Sequence, residues 1–408
     1  MSENRHLPQH LAQMQSLPLE AKMQMSEERI KAWFDSWWRY EIFNQKTGKT
    51  RFVTFDNRNY NDEPPMKETE YVVSAHPGCV YVSFSGGKDS TVLADLCARV
   101  CKEFGYKLYL LFVNTGLEYP EIQKFVKEYA EWLRSTYEIE VQLDIVRPEI
   151  RFDEVLKQYG YPVVGKEVAQ IVREARVGLA RGNGSYAFRI KKLRGELLDK
   201  NGELSAFNKK KWEFLLDAPF DISEQCCTVM KKNPSKQYEK ETGRRPIIGT
   251  MAHESALRKQ RWLRYGCNAF DDKKRPSSNP MSFWTEQDVL HYIKRYELPY
   301  CSVYGDIRIK PHGEDGSLDQ LDLIDYLGCY EPEDTLITTG CKRTGCIFCM
   351  FGCHLEKEPN RFQRLKETHP RQYNYCINGG EMVDGKWQPS KEGLGLGKVL
   401  DYIGVDYE

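Results

Sequence analysis

The sequence lacks any run of about 18 apolar residues, and its opening, MSENRHLPQHLAQMQ, has no apolar stretch of the kind that makes a secretory leader. A membrane partner is therefore not expected, and the expected compartment is the cytoplasm. Charge of one sign is also missing. Lys and Arg number 59 and Asp and Glu number 59, so the field of the whole chain does not by itself attract nucleic acid, although a local basic surface remains open. No internal repeat is found, and glycine-rich phosphate loops of the G-x-x-x-x-G-K-[ST] spacing are absent.

What is present suffices for one large or two ordinary domains. The chain has 408 residues, of which 40% are apolar and 12% aromatic, which argues against wholesale disorder. Thirteen cysteines are unevenly placed. In a reducing compartment, clustered thiols point to metal ligands or redox groups before disulfides. Two clusters stand out: Cys226-Cys227, and Cys341, Cys346, Cys349 and Cys353. Cys79, Cys97 and Cys101 lie on or beside apolar segments and read as buried thiols.

Residues 1 to about 25 are polar and Gln- and Met-rich, and loose order is expected there. An aromatic-dense stretch follows to about Tyr60. Its first half has Ile30, Phe34, Trp37 and Trp38 on one helical face, which predicts a helix packed on the main domain, with a base-stacking platform as the alternative. Residues 79–84 form a β-branched apolar run that ends in glycines. Next comes a helical stripe of Val92, Leu93, Leu96, Val100 and Cys101. A second strand, Leu108 to Val113, ends at Asn114-Thr115-Gly116, and Pro120 opens another helix. A third strand runs from Ile139 to Val146. Strand, helix, strand, helix, strand predicts an α/β fold, a doubly wound and mostly parallel sheet with helices on both faces. Its ligands belong at the carboxyl ends of the strands. Residues 166–217 read as a basic helical insertion (Arg189, Lys191, Lys192, Arg194, Lys209, Lys210, Lys211). The sheet resumes at Pro246-Ile247-Ile248-Gly249, and a helix is expected from near Thr285. The run Gly393 to Gly397 reads as a loop. The expected organisation is an N-terminal helical extension (1–70), a nucleotide-binding domain (71–305) and a C-terminal cysteine-rich, metal-binding region (306–408).

Ser85-Gly86-Gly87-Lys88-Asp89-Ser90 sits between a predicted strand and a predicted helix. Paired glycines let backbone N–H groups turn inward as a nest for phosphate oxygens, and the helix adds its positive end. Lys88 can neutralise phosphate charge, and Ser85, Ser90 and Thr91 bring hydroxyls.

This hexapeptide resembles the PP-loop of the adenine nucleotide α-hydrolase-like superfamily, and specifically of its phosphoadenosine phosphosulfate (PAPS) reductase family. Other segments agree in order. Asn114-Thr115-Gly116 with Glu118-Tyr119-Pro120-Glu121 is similar to the family's Asp-Thr-Gly…Pro-Glu. Cys226-Cys227 with Lys231, Lys232 and Pro234 resembles the paired cysteines of its iron–sulfur members. Gly249, Glu254, Ser255 and Arg258 resemble its Gly…Glu-Ser…Arg segment. Pro280, Trp284, Thr285, Glu286, Asp288 and Val289 match its Pro…Trp-Thr-Glu-x-Asp-Val, and Gly345-Cys346-x-x-Cys349 its closing Gly-Cys-x-x-Cys. The resemblance spans about residues 79–350. It implies ATP or a related adenylyl nucleotide with Mg²⁺ on Ser83, Phe84, Ser85, Gly86, Gly87, Lys88, Asp89, Ser90 and Thr91. Asn114, Thr115, Gly116, Gly249, Glu254, Ser255 and Arg258 complete the expected nucleotide site, with Lys88, Asp89 and Ser90 as catalytic candidates.

Thiolates at Cys-x-x-Cys spacing can converge on one metal. The resemblance implies a [4Fe–4S] cluster on Cys226, Cys227, Cys346 and Cys349. Cys341 and Cys353 extend the second group to a set that could hold metal without Cys226 and Cys227. Structural Zn²⁺ and free or redox-active thiols therefore stay open as alternatives. Adjacent cysteines point apart in regular structure, which leaves the ligand set unsettled.

The sequence also departs from the family. Its sulfonucleotide reductases attack sulfur with a cysteine near the C-terminus, in a Glu-Cys-Gly-x-His context that this chain lacks. Met251 and Ala252 stand where the family's anion-holding arginines follow the glycine. The expected function is thus adenylation of a substrate with pyrophosphate release, coupled to iron–sulfur-dependent sulfur transfer. Expected partners are an adenine nucleotide, a nucleic-acid substrate by analogy with DNA-phosphorothioation ATPases and tRNA thiolases, and a sulfur donor such as a cysteine desulfurase. Self-association into a homo-oligomer is compatible with this. The alternatives are sulfonucleotide reduction, with Cys353 or Cys376 as nucleophile, and a non-catalytic nucleotide sensor with a structural metal.

Overall fold

The computed structural model describes residues 5–58, 62–272, 275–310 and 334–408. Most of residues 306–340, which the sequence reads as a second insertion relative to a compact reductase, lies outside the described residues. The chain packs into two compact units, each assembled from separate stretches. The first holds Met1–Asn114, Tyr119–Val146 and Ser235–Thr344, and the second holds Thr115–Glu118, Arg147–Pro234 and Gly345–Glu408. This division crosses the contiguous segments expected from sequence.

In the first unit, helices α1 (Pro8–Gln15) and α2 (Leu19–Ser36) occupy the stretch where loose order was expected. The reason is burial. Leu11, Met23, Ile30, Trp33, Phe34 and Trp37 join the hydrophobic core of this unit, Trp33 fully enclosed. The expected packed helix is present with Ile30 and Phe34, but Trp37 and Trp38, expected on the same helical face, open a strand instead, because the helix ends at Ser36 and Trp37 is extended. The second half of the aromatic stretch is extended, however. Strands β1 (Trp37–Asn44), β2 (Lys49–Asp56) and β3 (Glu70–His76) form an antiparallel sheet in the order β2-β1-β3.

The α/β layer follows as β4 (Val80–Ser83), α3 (Lys88–Phe104), β5 (Leu108–Val113), α4 (Pro120–Tyr137) and β6 (Val141–Val146). Stripe residues Val92, Leu93, Leu96 and Val100 are buried on α3, and Gly105 ends that helix in the left-handed region, φ 71°. After α5 (Phe152–Tyr159), α6 (Lys166–Arg181) and α7 (Ala187–Arg194) of the second unit, α8 (Asn233–Thr242) returns the chain to β7 (Arg245–Ile248). Then come α9 (Ala256–Tyr265), β8 (Asn268–Ala269), β9 (Ser277–Ser278) and α10 (Glu286–Arg295). The six strands order as β6-β5-β4-β7-β9-β8, all parallel except β8. The strand order reverses between β4 and β7, so the turns leaving those two strands share the switch point where α/β sheets bind ligands. The α10 start is fixed as expected: Thr285 Oγ1 accepts from Asp288 N–H, and Asp288 takes the Thr285 N–H at 2.6 Å.

The second unit contains the basic insertion as helices α6 and α7, and its positive charge is partly neutralised internally. Arg189 pairs with Glu174 at 2.6 Å, and buried Lys192 with Glu167 at 2.9 Å. Arg176 donates to the carbonyls of Leu215, Ala218 and Phe220, which ties the insertion's two ends together. Helices α11 (Arg361–Thr368), α12 (Pro370–Ile377) and α13 (Leu396–Tyr402) complete this unit. The glycine run read as a loop thus passes into α13, whose first turn buries Leu396.

Asp95 holds three helices of the first unit together. Its fully buried carboxylate accepts from Tyr137 on α4 at 2.7 Å, Tyr292 on α10 at 2.6 Å, and Arg99 one turn along α3 at 3.0 Å. Asp95→Ala leaves these donors unpaired and is expected to destabilise the first unit by about 3–5 kcal/mol, with Asp95→Asn milder. Urea unfolding followed by tryptophan fluorescence measures this, and an unchanged midpoint in Asp95→Ala would count against a joining role.

Candidate functional site

The hexapeptide loop leaves β4 at the switch point. Ser83 is the last strand residue, and the Phe84 N–H still donates to Leu111 O at 2.9 Å. Gly86 adopts φ 72°, and a Cβ there would lie 2.8 Å from Val126 Cγ2, so the turn requires glycine on both conformational and steric grounds. The loop braces itself. Ser90 Oγ accepts from the Ser85 N–H at 3.2 Å and donates to Gly87 O at 2.8 Å. Thr91 Oγ1 also donates to Gly87 O, and the Gly87 N–H reaches Ser85 Oγ at 3.4 Å. All three hydroxyls read as phosphate donors therefore shape the loop, and two of them, on Ser90 and Thr91, belong to buried residues.

Lys88 is buried, with only 4% of its side chain exposed. Its ammonium lies 3.1 Å from Glu286 Oε1 and 3.4 Å from Asp89 Oδ1. Burial opposes its charge, but Asp89, Tyr304 and Glu286 outweigh that and hold it above the ordinary lysine value. Asp89 is shifted upward, chiefly by burial and against the pull of Lys88, whose ammonium at 3.4 Å is the partner of its buried Oδ1. The Lys88 N–H, one of the nest donors, is taken by Tyr304 Oη at 3.0 Å, and that hydroxyl shares a 2.8 Å hydrogen bond with Thr344 Oγ1. Tyr304 lies 216 positions from Lys88 in sequence, in a segment with no recognisable motif, so sequence reading missed it, and Thr344 likewise.

Gly249 follows β7 and meets the first turn of α3, where its Cβ would stand 3.1 Å from Asp89 O. Glu254, Ser255 and Arg258 sit just beyond. Glu254 accepts from the Met251 N–H and forms an ion pair with Arg258, while Ser255 caps α9 by accepting from the Arg258 N–H. His253 hydrogen-bonds the Trp284 carbonyl at 3.2 Å, a positional role. The structure thus gathers residues 83–91, Gly249 and Glu254 at one sheet edge. Asn114 belongs to the same unit, its N–H donating to Val146 O at 2.8 Å. Thr115 and Gly116 belong to the second unit, where Thr115 Oγ1 donates to Glu118 at 2.6 Å and Gly116 turns at φ 75°.

Cys226, Cys227, Cys346 and Cys349 share the second unit. The adjacent pair does not diverge as regular structure would have it: Cys226 and Cys227 enter a π-helical turn, Thr228–Lys232, with their Sγ atoms 3.9 Å apart. The hydrogen bond from Cys226, with Lys166 and Lys231 nearby, lowers the Cys227 thiol to about 5 despite burial, while Cys226 is pushed up. Burial raises Cys346 to about 11, Lys231 pulling the other way, and it also raises Cys349. Lys231 is held charged by Cys346 and Glu118 although burial disfavours it. Lys166 and Arg361, which donates to Cys349 O at 2.9 Å, were not foreseen. Cys341 falls in the first unit, donating to Tyr119 Oη at 3.5 Å, and Cys353 is buried in the second. Among the described residues no group of three or more His, Cys, Asp or Glu side chains is arranged to hold one metal ion. No helix among them is long and apolar enough to cross a membrane.

No curated protein matches the chain. The sequence model of the phosphoadenosine phosphosulfate reductase domain matches residues 79–175 and 185–350, more than half of the chain. Those segments carry the phosphate loop, the Gly249 turn, the α10 cap and the four cysteines of the second unit. The chain belongs to the phosphoadenosine phosphosulfate reductase family and is a nucleotide-binding enzyme of the PP-loop kind.

Proposed function

We propose that the enzyme uses ATP to adenylate an oxygen of its substrate and then supports sulfur transfer to the activated position. The observation that carries this reading is the loop of residues 85–91 at the switch point, with Lys88, Asp89 and the α3 N-terminus converging on one place. A substrate oxygen attacks the α-phosphorus of ATP, and pyrophosphate leaves. Backbone N–H groups and Lys88 stabilise the charge that develops on the phosphate oxygens. A sulfur nucleophile then displaces AMP, which is a better leaving group than the original hydroxyl or carbonyl oxygen. Mg²⁺ would suit this site, since Asp89 brings a buried carboxylate oxygen whose contact with the Lys88 ammonium, at 3.4 Å, is long.

Sulfonucleotide reduction is the weaker reading. Where family reductases place arginines for the phosphosulfate, Met251 and Ala252 are apolar and buried. The alternative nucleophiles also fit poorly. Burial raises Cys353 to about 11 and holds Cys376 well above the ordinary thiol value, so neither supplies a thiolate at neutral pH.

An iron–sulfur cluster on the four thiols of the second unit rests on the resemblance to iron–sulfur members of the family and on the electrostatic reach of Cys346 and Cys349 to Cys226. Cys226, Cys227, Cys346 and Cys349 would hold it, with Lys231 and Lys166 offsetting its negative charge. When bound, a cluster supplies electron transfer or a coordination site for sulfur. A nucleic acid as acceptor and a cysteine desulfurase as donor belong to the same proposal.

Pyrophosphate release from ATP in the presence of candidate acceptors tests the first step, and Lys88→Ala should lower it by about 100-fold. ATP turnover that is equal in Lys88→Ala and wild type would sink the assignment. Because a phosphate oxygen competes with Tyr304 for the Lys88 N–H, Tyr304→Phe is expected to tighten ATP binding by about 2- to 12-fold, the worth of one net hydrogen bond. Weaker binding, read by calorimetry, would mean instead that the hydroxyl contacts the nucleotide. Anaerobic preparations should carry about four irons and four sulfides per chain, lost in Cys346→Ser/Cys349→Ser. One zinc without sulfide would remove the cluster from the mechanism.

A further inference from the structure

The amino edge of the parallel sheet, opposite to the phosphate loop, carries a cavity with three basic side chains in its lining. It measures about 280 Å³, near the lower end of small-molecule sites. Arg39 of β1, Gly78 and Cys79 before β4, Lys107 and Tyr109 at the start of β5, and Arg244 before β7 line it. His76, the last residue of β3, stands exposed on its wall. No Asp or Glu is among its lining residues.

The charges here lack counter-charges. Arg244 is 8% exposed, and its guanidinium lies over the Tyr109 ring at 3.5 Å and donates to Tyr238 Oη at 3.0 Å. Among the described residues neither Arg39, Arg244 nor the neighbouring Arg245 forms an ion pair with a carboxylate. The Nε atoms of Arg39 and Arg245 are buried without an acceptor. Lys107 has a partner only in Glu140, 3.2 Å away and largely exposed, a pair of little strength. Asp144 is linked to Arg244 indirectly, through Tyr238, whose hydroxyl donates to Asp144 at 2.6 Å. All three guanidiniums lie within electrostatic reach of the buried Cys79 thiol, opposing the rise that burial gives it.

Buried guanidinium donors without acceptors are costly, and a planar fork of N–H groups is matched best by a tetrahedral or carboxylate oxyanion. The cavity exceeds what a bare ion needs, and Tyr109 and Pro77 give it an apolar wall. We propose that this cavity is a second, nucleotide-independent anion site, which takes the phosphate or sulfate group of a small molecule on Arg39, Arg244 and Lys107. Its position at the amino edge separates it from the loop of residues 85–91, at the carboxyl end of the same strand β4.

Calorimetric titration of the full chain with inorganic phosphate, sulfate and phenyl phosphate, at constant ionic strength with chloride as reference, tests this. Binding over chloride by at least one of the three is expected, and it should weaken at least tenfold in Arg39→Gln and in Arg244→Gln. Preference for phenyl phosphate would identify an ester as the ligand, and equal affinity for the free ions an inorganic one. Should Arg244→Gln fail to fold, Arg39→Gln, at a partly exposed position on β1, carries the test. No binding above chloride, or binding that neither substitution weakens, overturns the proposal. So does binding of a single-stranded oligonucleotide that depends on Arg39 when all three small probes fail, because the cavity would then belong to a nucleic-acid surface.

Discussion

The first turn of a helix has four backbone N–H groups without partners inside the helix, and most of what surrounds α3 follows from satisfying them. Gly86 turns the chain so that the N–H groups face inward, the Ser85 and Ser90 hydroxyls close the loop on itself, and Tyr304 arrives from far along the chain to accept from Lys88. Charges follow the same geometry. Lys88 is buried beneath the loop only because Asp89 and Glu286 stand beside it. A Cβ at Gly249 would stand 3.1 Å from the Asp89 carbonyl oxygen, so a side chain there would press on the first turn of α3. The loop is thus a small, closely packed structure held in shape by its own side chains and Tyr304 before any ligand arrives, and a fixed geometry of this kind is what electrostatic catalysis needs.

The parts legible in the sequence were those whose physics is local. A β-branched run, two glycines and an apolar stripe at helical spacing are enough to define β4, the loop and α3. Thr285 and Asp288 likewise define the start of α10 by capping chemistry within four residues. Strand order was legible only as far as the parallel class, because the reversal between β4 and β7 depends on where a long excursion returns to the sheet.

What the sequence did not disclose depends on distant or irregular contacts. Tyr304 and Thr344 have no motif, and their role follows only from the fold that brings them to Gly87 and Lys88. Adjacent cysteines read as divergent because regular helices and strands separate neighbours. The π turn after Cys227 breaks that regularity, and no residue type announces it. The N-terminal polar segment looked loose because its helical stripe is diluted by Gln and Met. Burial of Leu11, Met23 and Ile30 against the core supplies the order that propensity alone does not.

The two edges of the sheet meet anions by different means, and the helix dipoles explain why. At the carboxyl edge, helix N-termini present N–H groups and partial positive charge, so backbone alone can do much of the binding. At the amino edge the helices end. Gly105 closes α3 just before Lys107, and α8 closes at Thr242, two residues before Arg244. A helix C-terminus carries roughly half a negative charge, so a cation just beyond each one is electrostatically favoured, and part of the basic character of this edge needs no ligand. The remainder does. Two such termini contribute roughly one negative charge between them, whereas Arg39, Arg244, Arg245 and Lys107 bring four positive charges, and among the described residues only Lys107 has a carboxylate partner, an exposed one. Complementing the dipoles would also be served by exposed lysines, which cost little to solvate. Burying Arg244 over Tyr109, and leaving the Nε atoms of Arg39 and Arg245 without acceptors, is harder to account for unless an oxyanion completes the set.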